Sequence, residues 1–175
     1  TLLDILYGLL SPFKGEVKYN GKKISYTDLY NLRQNAIMIS SDLYLFHSSI
    51  KKNLTMDKSI SDNELDFALK MAHAYEFVYK NSKGLGMNIG TDGELLSLGQ
   101  RQRIIIARLF LRKPKLVLLD EATSNLNYDL EDKIIRNIRE YIDPDSILIM
   151  VAHKQPRDIN FTKKYLLQKG RLITS

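Results

Sequence analysis

Two short apolar runs on either side of one amphipathic helix constrain this chain more than any other feature. Residues 116–119 (LVLL) and 146–152 (SILIMVA) are long enough for strands and too short for buried helices. Between them Leu126, Leu130, Ile134, Ile138 and Ile142 recur at helical spacing, and Asp143-Pro144 ends the pattern because proline cannot continue a helix. Strand, helix and strand in that order make a β-α-β unit, which predicts an α/β fold: a mostly parallel sheet with helices on both faces and both runs buried. Such sheets bind ligands beyond the carboxyl ends of their strands, where the sequence places Asp120-Glu121 and His153.

The remaining segments fit around this unit. Leu2, Leu3, Leu6, Leu9 and Leu10 predict a first helix stopped by Ser11-Pro12. Residues 16–25 alternate around Asn20-Gly21, the signature of a two-residue hairpin turn. A short helix near 28–33 precedes a strand at 36–39, which runs into the polar Ser40-Ser41-Asp42. Residues 62–80 read as one long helix, with Leu65, Ala68, Leu69, Ala72 and Tyr79 on its apolar stripe and Ser61 with Glu64 as a capping box. A loop with Gly84, Gly86, Gly90 and Gly93 leads to Ser97, the expected N-cap of a further helix running to about Arg112 before Pro114.

Composition narrows the function classes. At 175 residues, 44% apolar and 26% charged, the chain is one ordinary globular domain and not a disordered or fibrous one. The longest apolar stretch is six residues, 147–152, where about 18 are needed for a membrane-spanning helix. The apolar N-terminus has no basic segment or small-residue cleavage site before it, so no secretory signal is expected. The absence of cysteine removes disulfides, thiol nucleophiles and cysteine-zinc sites together. His47, His73 and His153 are too far apart for metal-ligand spacing, and His73 falls off the apolar stripe, which predicts an exposed side chain. The net charge of +6 is spread over pairs such as Lys22-Lys23, Lys51-Lys52 and Lys163-Lys164, as on a solvated surface; a nucleic-acid partner is not expected.

Two patterns carry chemistry. Apolar residues followed by Asp120-Glu121 deliver two carboxylates into a polar crevice, where one can hold a hydrated Mg²⁺ and the other can polarise an attacking water. A strand ending in two solvated acids has the same appearance. Ser97 and Gly99, at the amino end of a helix, suit a terminal phosphate, since unpaired amides and the helix dipole attract anions. A plain capped helix after a glycine-rich loop reads the same way.

Taken in order, LSLGQRQRIIIAR, LVLLDEATSNLN and ILIMVAHK resemble the signature motif, the Walker B motif with D-loop, and the H-loop of ATP-binding-cassette (ABC) ATPases. IMISSDLYLFHSSIKKNL resembles the Q-loop region of the exporter branch, and TLLDILYGLLSPFKGEVKYNGKKI the helix and hairpin after the phosphate-binding loop, so the resemblance covers the whole chain. It implies a P-loop NTPase-like fold, with a RecA-like core at about 1–42 and 113–175 and a helical subdomain at about 43–112. It implies ATP and Mg²⁺ as ligands, with Asp120 near the metal, Glu121 as general base and His153 as the switch residue on the γ-phosphate. Ser97, Gly99 and Gln100 would serve the nucleotide of an opposite subunit in a head-to-tail dimer, and Ser124 with Asn127 would lie in the D-loop at that interface.

The departures are specific. No G-x-x-x-x-G-K-[ST] motif occurs, and Thr1 falls at or just after its final hydroxyl residue. The chain stops at residues 172–175, where the family continues, so the expected piece is incomplete at both ends. Ser41 or its neighbour stands at the Q-loop glutamine, Leu98 at the first signature glycine and Asn127 at the D-loop aspartate. The implied function is the nucleotide-binding domain of an exporter, fused to a transmembrane domain at the cytoplasmic face of the cell membrane, with this piece alone inactive. A non-transport ABC ATPase of DNA-repair or translation type, and a regulatory half of a heterodimer, are the alternatives. The transported substrate is not encoded here.

Overall fold

The computed structural model describes residues 1–25, 27–42, 44–152 and 161–174. Its centre is a parallel three-stranded sheet in the order β3 (Ala36–Ser40), β4 (Leu116–Asp120), β5 (Ile147–Val151). The register aligns Ala36 with Leu116 and Ile147 at one end, and Ser40 with Asp120 and Val151 at the other. The three strands therefore deliver their carboxyl ends, polar at Ser40 and Asp120, to one edge of the sheet.

Alternation along β4 decides what each face buries. Val117 and Leu119 enter the main core with Ile37, Ile39 and the buried isoleucines Ile134, Ile135 and Ile138 of α7 (Tyr128–Tyr141). Leu116 and Leu118 face the other side and pack with Leu3 of α1 (Leu2–Tyr7) and Ala36. The predicted β-α-β unit is present, with one change: β5, one of the two edge strands among those described, is half exposed, with Ile147 at 51% and Val151 at 41%.

The first helix is shorter than the leucine spacing predicts. Gly8 takes a left-handed φ of 76°, its amide bonds to the Ile5 carbonyl and that of Leu9 to the Asp4 carbonyl, closing a Schellman turn before Pro12. Leu9 and Leu10 are left exposed. The hairpin forms as predicted but small, β1 (Lys18–Tyr19) against β2 (Lys22–Lys23), and α2 (Asp28–Asn35) leads into β3.

The long helix expected over 62–80 is two helices, α4 (Asp62–Met71) and α5 (Tyr75–Lys80). His73 turns left-handed at φ 52°, and amide bonds from His73 to Lys70 and from Ala74 to Leu69 close the same kind of turn without a glycine. Arg103 holds the corner from outside: its guanidinium donates to the His73 carbonyl at 2.7 Å and lies over the Phe77 ring. His73 is half-buried there and not exposed. The capping box of Ser61 and Glu64 forms as predicted.

The helix beginning after Ser97 is α6 (Leu98–Ala107), which tightens into a 3₁₀ turn over Leu109–Leu111. Arg108, at its end, donates to the Asn53 carbonyl at 2.9 Å, to the Asn53 side chain at 3.2 Å and to the Tyr44 carbonyl at 3.2 Å. Asn53 is fully buried in α3 (Ile50–Thr55) and clips the chain at Phe46 by accepting from its amide and donating to its carbonyl. Burial pulls the Arg108 pKa down to about 10, which leaves it charged at neutral pH. A second hairpin that the sequence reading did not predict, β6 (Tyr165–Gln168) and β7 (Arg171–Thr174), turns at Lys169-Gly170 with exposed strands. Among the described residues no helix is long and apolar enough to cross a membrane.

Candidate functional site

The site begins where β4 ends. A strand buried on both faces cannot hold a solvated carboxylate in its middle, so the first acid appears at its last residue, Asp120, which is half-buried beside Ser40 of β3. Glu121 then leaves the strand direction at a left-handed φ of 53°, uncommon for a residue with a side chain. Two backbone bonds hold it there: its amide donates to the Val151 carbonyl at 3.0 Å, and its carbonyl accepts from Ser124 at 3.1 Å. The bend brings Glu121 to a groove of about 410 Å³ shared with Thr123, Ser124, Leu126, Asn127, Tyr128, Glu131 and Ala152.

The loop 123–127 is braced by both helices that flank it. Thr123 donates to a Glu131 carboxylate oxygen of α7, and the Asn127 side chain accepts from the Leu130 amide at 2.9 Å as the N-cap of α7. From the other side comes Gln102 of α6, with no exposed surface, whose Nε2 donates to Ser124 Oγ at 3.3 Å and whose Oε1 accepts from the Asn125 amide at 3.1 Å. Gly99 is pressed against the same loop: a Cβ there would lie 3.1 Å from the Asn125 carbonyl oxygen.

Ser97 caps α6 as the sequence predicts. Its hydroxyl accepts from the Gln100 amide at 3.3 Å, and the Gln100 side chain accepts from the Ser97 amide at 2.9 Å, a full capping box. Ser97 and Leu98 are exposed, Leu98 at 53%. Thr1 is exposed at the N-cap of α1, and Ser41 is exposed just past β3. His153 lies outside the described residues.

Of the predicted residues, the fold thus gathers two groups. Asp120 and Glu121 stand at the strand ends, with Glu121, Ser124 and Asn127 around the groove. Ser97, Gly99 and Gln100 form the start of α6, joined to Ser124 through Gln102. Asp120, Thr1, Ser41, Ser97, Gly99 and Gln100 do not line the groove. Sequence reasoning missed Gln102, Thr123 and Glu131. The signal for Gln102 was a polar residue one turn after Gly99 on a helix whose next residues, 104–107, are all buried.

For a metal, the donors are oxygens: the Asp120 carboxylate and the Ser40 hydroxyl at the ends of adjacent strands, with the Glu121 carboxylate one residue on, at the groove. Among the described residues no group of three or more His, Cys, Asp or Glu could cage an ion. That set suits Mg²⁺, which keeps most of its waters and takes one or two carboxylates together with substrate phosphates.

Comparison with known proteins agrees with this geometry. Residues 1–124 match the family described as ABC transporter. The chain is 37% identical over 176 residues to the ABC-type transporter fsqE of Aspergillus fumigatus, covering 99% of this chain and 14% of that protein. It is 33% identical over 177 residues to an ATP-dependent lipid A-core flippase of Francisella novicida, covering 100% of this chain and 30% of the flippase. Among solved structures, a bacterial Atm1-family ABC exporter with ATP bound superposes with a TM-score of 0.90 at 27% identity, over 98% of this chain and 30% of the exporter chain. The chain therefore spans less than a third of the length of these relatives. With the parallel sheet, the capped α6 and the carboxylates at the end of β4 already in place, it belongs to the ABC transporter family, as an exporter-like nucleotide-binding domain.

Proposed function

We propose that this domain binds and hydrolyses ATP at a head-to-tail interface with a second nucleotide-binding domain, and that the cycle drives transport through a membrane domain of the same protein or complex. The domain then works at the cytoplasmic face of a membrane. The observation that carries the proposal is the end of β4, where Asp120 stays beside Ser40 while Glu121 bends out to the groove.

In this reading Glu121 is the general base. It accepts the proton of a water as that water's oxygen forms a bond to the γ-phosphorus of ATP, and the bond from that phosphorus to the β,γ-bridging oxygen breaks, leaving ADP and phosphate. Asp120 would hold Mg²⁺, which would supply charge neutralisation on the phosphates. His153 is assigned to the γ-phosphate, with Thr1 and Ser41 toward the phosphates and metal of the same nucleotide. Ser97, Gly99 and Gln100 face the γ-phosphate of the ATP held by the other subunit, with Ser124 and Asn127 beside them at the interface. The sheet and its flanking segments, 1–42 and 113–175, form the nucleotide-binding core, and 43–112 the helical part. The 175 residues contain no G-x-x-x-x-G-K-[ST] loop, so this piece by itself is inactive.

The test is Glu121→Gln in the full-length protein. It keeps shape and removes the base, so hydrolysis should fall by about 100- to 10,000-fold while ATP binding persists and ATP-bound dimers accumulate. Undiminished turnover would overturn the assignment.

A further inference from the structure

Gln102 is a fully buried polar residue that no step of the mechanism uses. Its carboxamide has no exposed surface and lies in a helix whose neighbouring residues 104–107 are buried and apolar. A carboxamide buried there without partners is costly, yet both of its ends are engaged, and both partners belong to the loop 123–127: Ser124 Oγ at 3.3 Å and the Asn125 amide at 3.1 Å. Gly99, three residues earlier on the same face of α6, brings the helix backbone against the same loop, since a Cβ there would sit 3.1 Å from the Asn125 oxygen and 3.4 Å from Leu126 Cδ2.

The far side of the loop is fixed as well. Thr123 reaches Glu131, and Asn127 caps α7. The start of α6 is stiffened by its own capping box between Ser97 and Gln100. Gln102 ties these two braced segments together with its polar side chain. We infer that Gln102 is a positioning residue that locks the start of α6 to the loop 123–127, so that Ser97, Gly99 and Ser124 approach a second subunit as one rigid surface. The inference rests on the head-to-tail pairing proposed above. Gln102 is buried and touches no nucleotide itself; it acts through Ser124 and Asn125.

The experiment uses the full-length protein with Gln102→Met, which keeps the unbranched shape and removes both hydrogen bonds, and Gln102→Glu, which keeps an acceptor for the Asn125 amide and an oxygen for Ser124. Without nucleotide, amide hydrogen exchange in Gln102→Met should speed up in both 97–101 and 123–127, and Gln102→Glu should restore protection. With Mg-ATP, Gln102→Met should weaken subunit pairing and lower kcat by about tenfold, the scale of a coupling change, while KM for ATP stays within about twofold. Faster exchange in one segment only, or in neither, overturns the inference. So does a variant that merely melts earlier yet pairs normally at temperatures where it is folded. If the unsubstituted protein does not pair with ATP at all, the head-to-tail reading has failed, and the exchange comparison alone decides whether Gln102 makes the lock. Should Gln102→Met not accumulate as folded protein, Gly99→Ala strains the same contact from the helix side, and unchanged exchange in 123–127 would then refute the coupling.

Discussion

His73 carries two unusual properties at once: a left-handed backbone at φ 52° and an imidazole pushed below its ordinary value near 6.5 by burial, with Lys133 and Arg103 adding to the effect and Glu76 opposing it. The sign of the pH dependence follows. The unfolded chain takes up a proton at His73 near pH 6.5, whereas the folded protein does so only at lower pH, so stability should be level above that window and fall as the pH drops through it. Melting temperatures from about pH 7.5 to about pH 5 check this, and His73→Asn, which tolerates the left-handed conformation, should flatten that part of the curve. Asn127 is the second residue with a local prediction. Its side chain caps α7, so Asn127→Ala should cost about 1 kcal/mol and Asn127→Asp close to nothing, measured by denaturant unfolding. Asn in place of the aspartate expected from the resemblance therefore leaves the cap intact. Asp120-Glu121 was legible because burial forces acids to the end of an apolar strand; the bend at Glu121 was not, because it depends on the Val151 carbonyl, 30 residues on.

Among the elements, α6 separates a structural role from a functional one. Ser97→Ala removes a cap and should cost about 1 kcal/mol of stability in the 175-residue chain. Ser97→Arg in the full-length protein should in addition block ATP-dependent pairing, read by sedimentation, with the subunit's own ATP affinity little changed; normal pairing would reduce residues 96–100 to a helix start. The caps at Ser61 and Ser97 were readable because a serine three residues before Glu or Gln is a local pattern. The division of α4 from α5 was not readable, since a histidine closes that turn and its support comes from Arg103 on another helix. Gly8 was readable in principle, but the leucines beyond it kept the helical spacing and Pro12 was the stronger stop signal. The β6–β7 hairpin went unseen because its strands are exposed along their length and show no alternation of apolar and polar residues.

At the scale of the whole molecule, the sheet and the helices share one buried cluster from Ile37 to Ile138, so Ile134→Ala should cost about 2–5 kcal/mol in unfolding free energy. The 175-residue chain on its own should bind Mg-ATP more weakly than about 1 μM in calorimetry, because no G-x-x-x-x-G-K-[ST] loop is present to cradle the phosphates. Tighter binding would mean that another surface supplies the cradle. The contact of Arg108 with Asn53 and Tyr44 has a consequence for how fast this molecule assembles and comes apart. It joins residues 55 and 64 positions apart, and loops of that length cost chain entropy before the guanidinium finds its carbonyls. The clip therefore closes late, after the helices it joins have formed. In stopped-flow experiments Arg108→Ala should accelerate unfolding and leave the refolding rate nearly unchanged, so that this one arginine governs the lifetime of the folded domain more than the speed of reaching it.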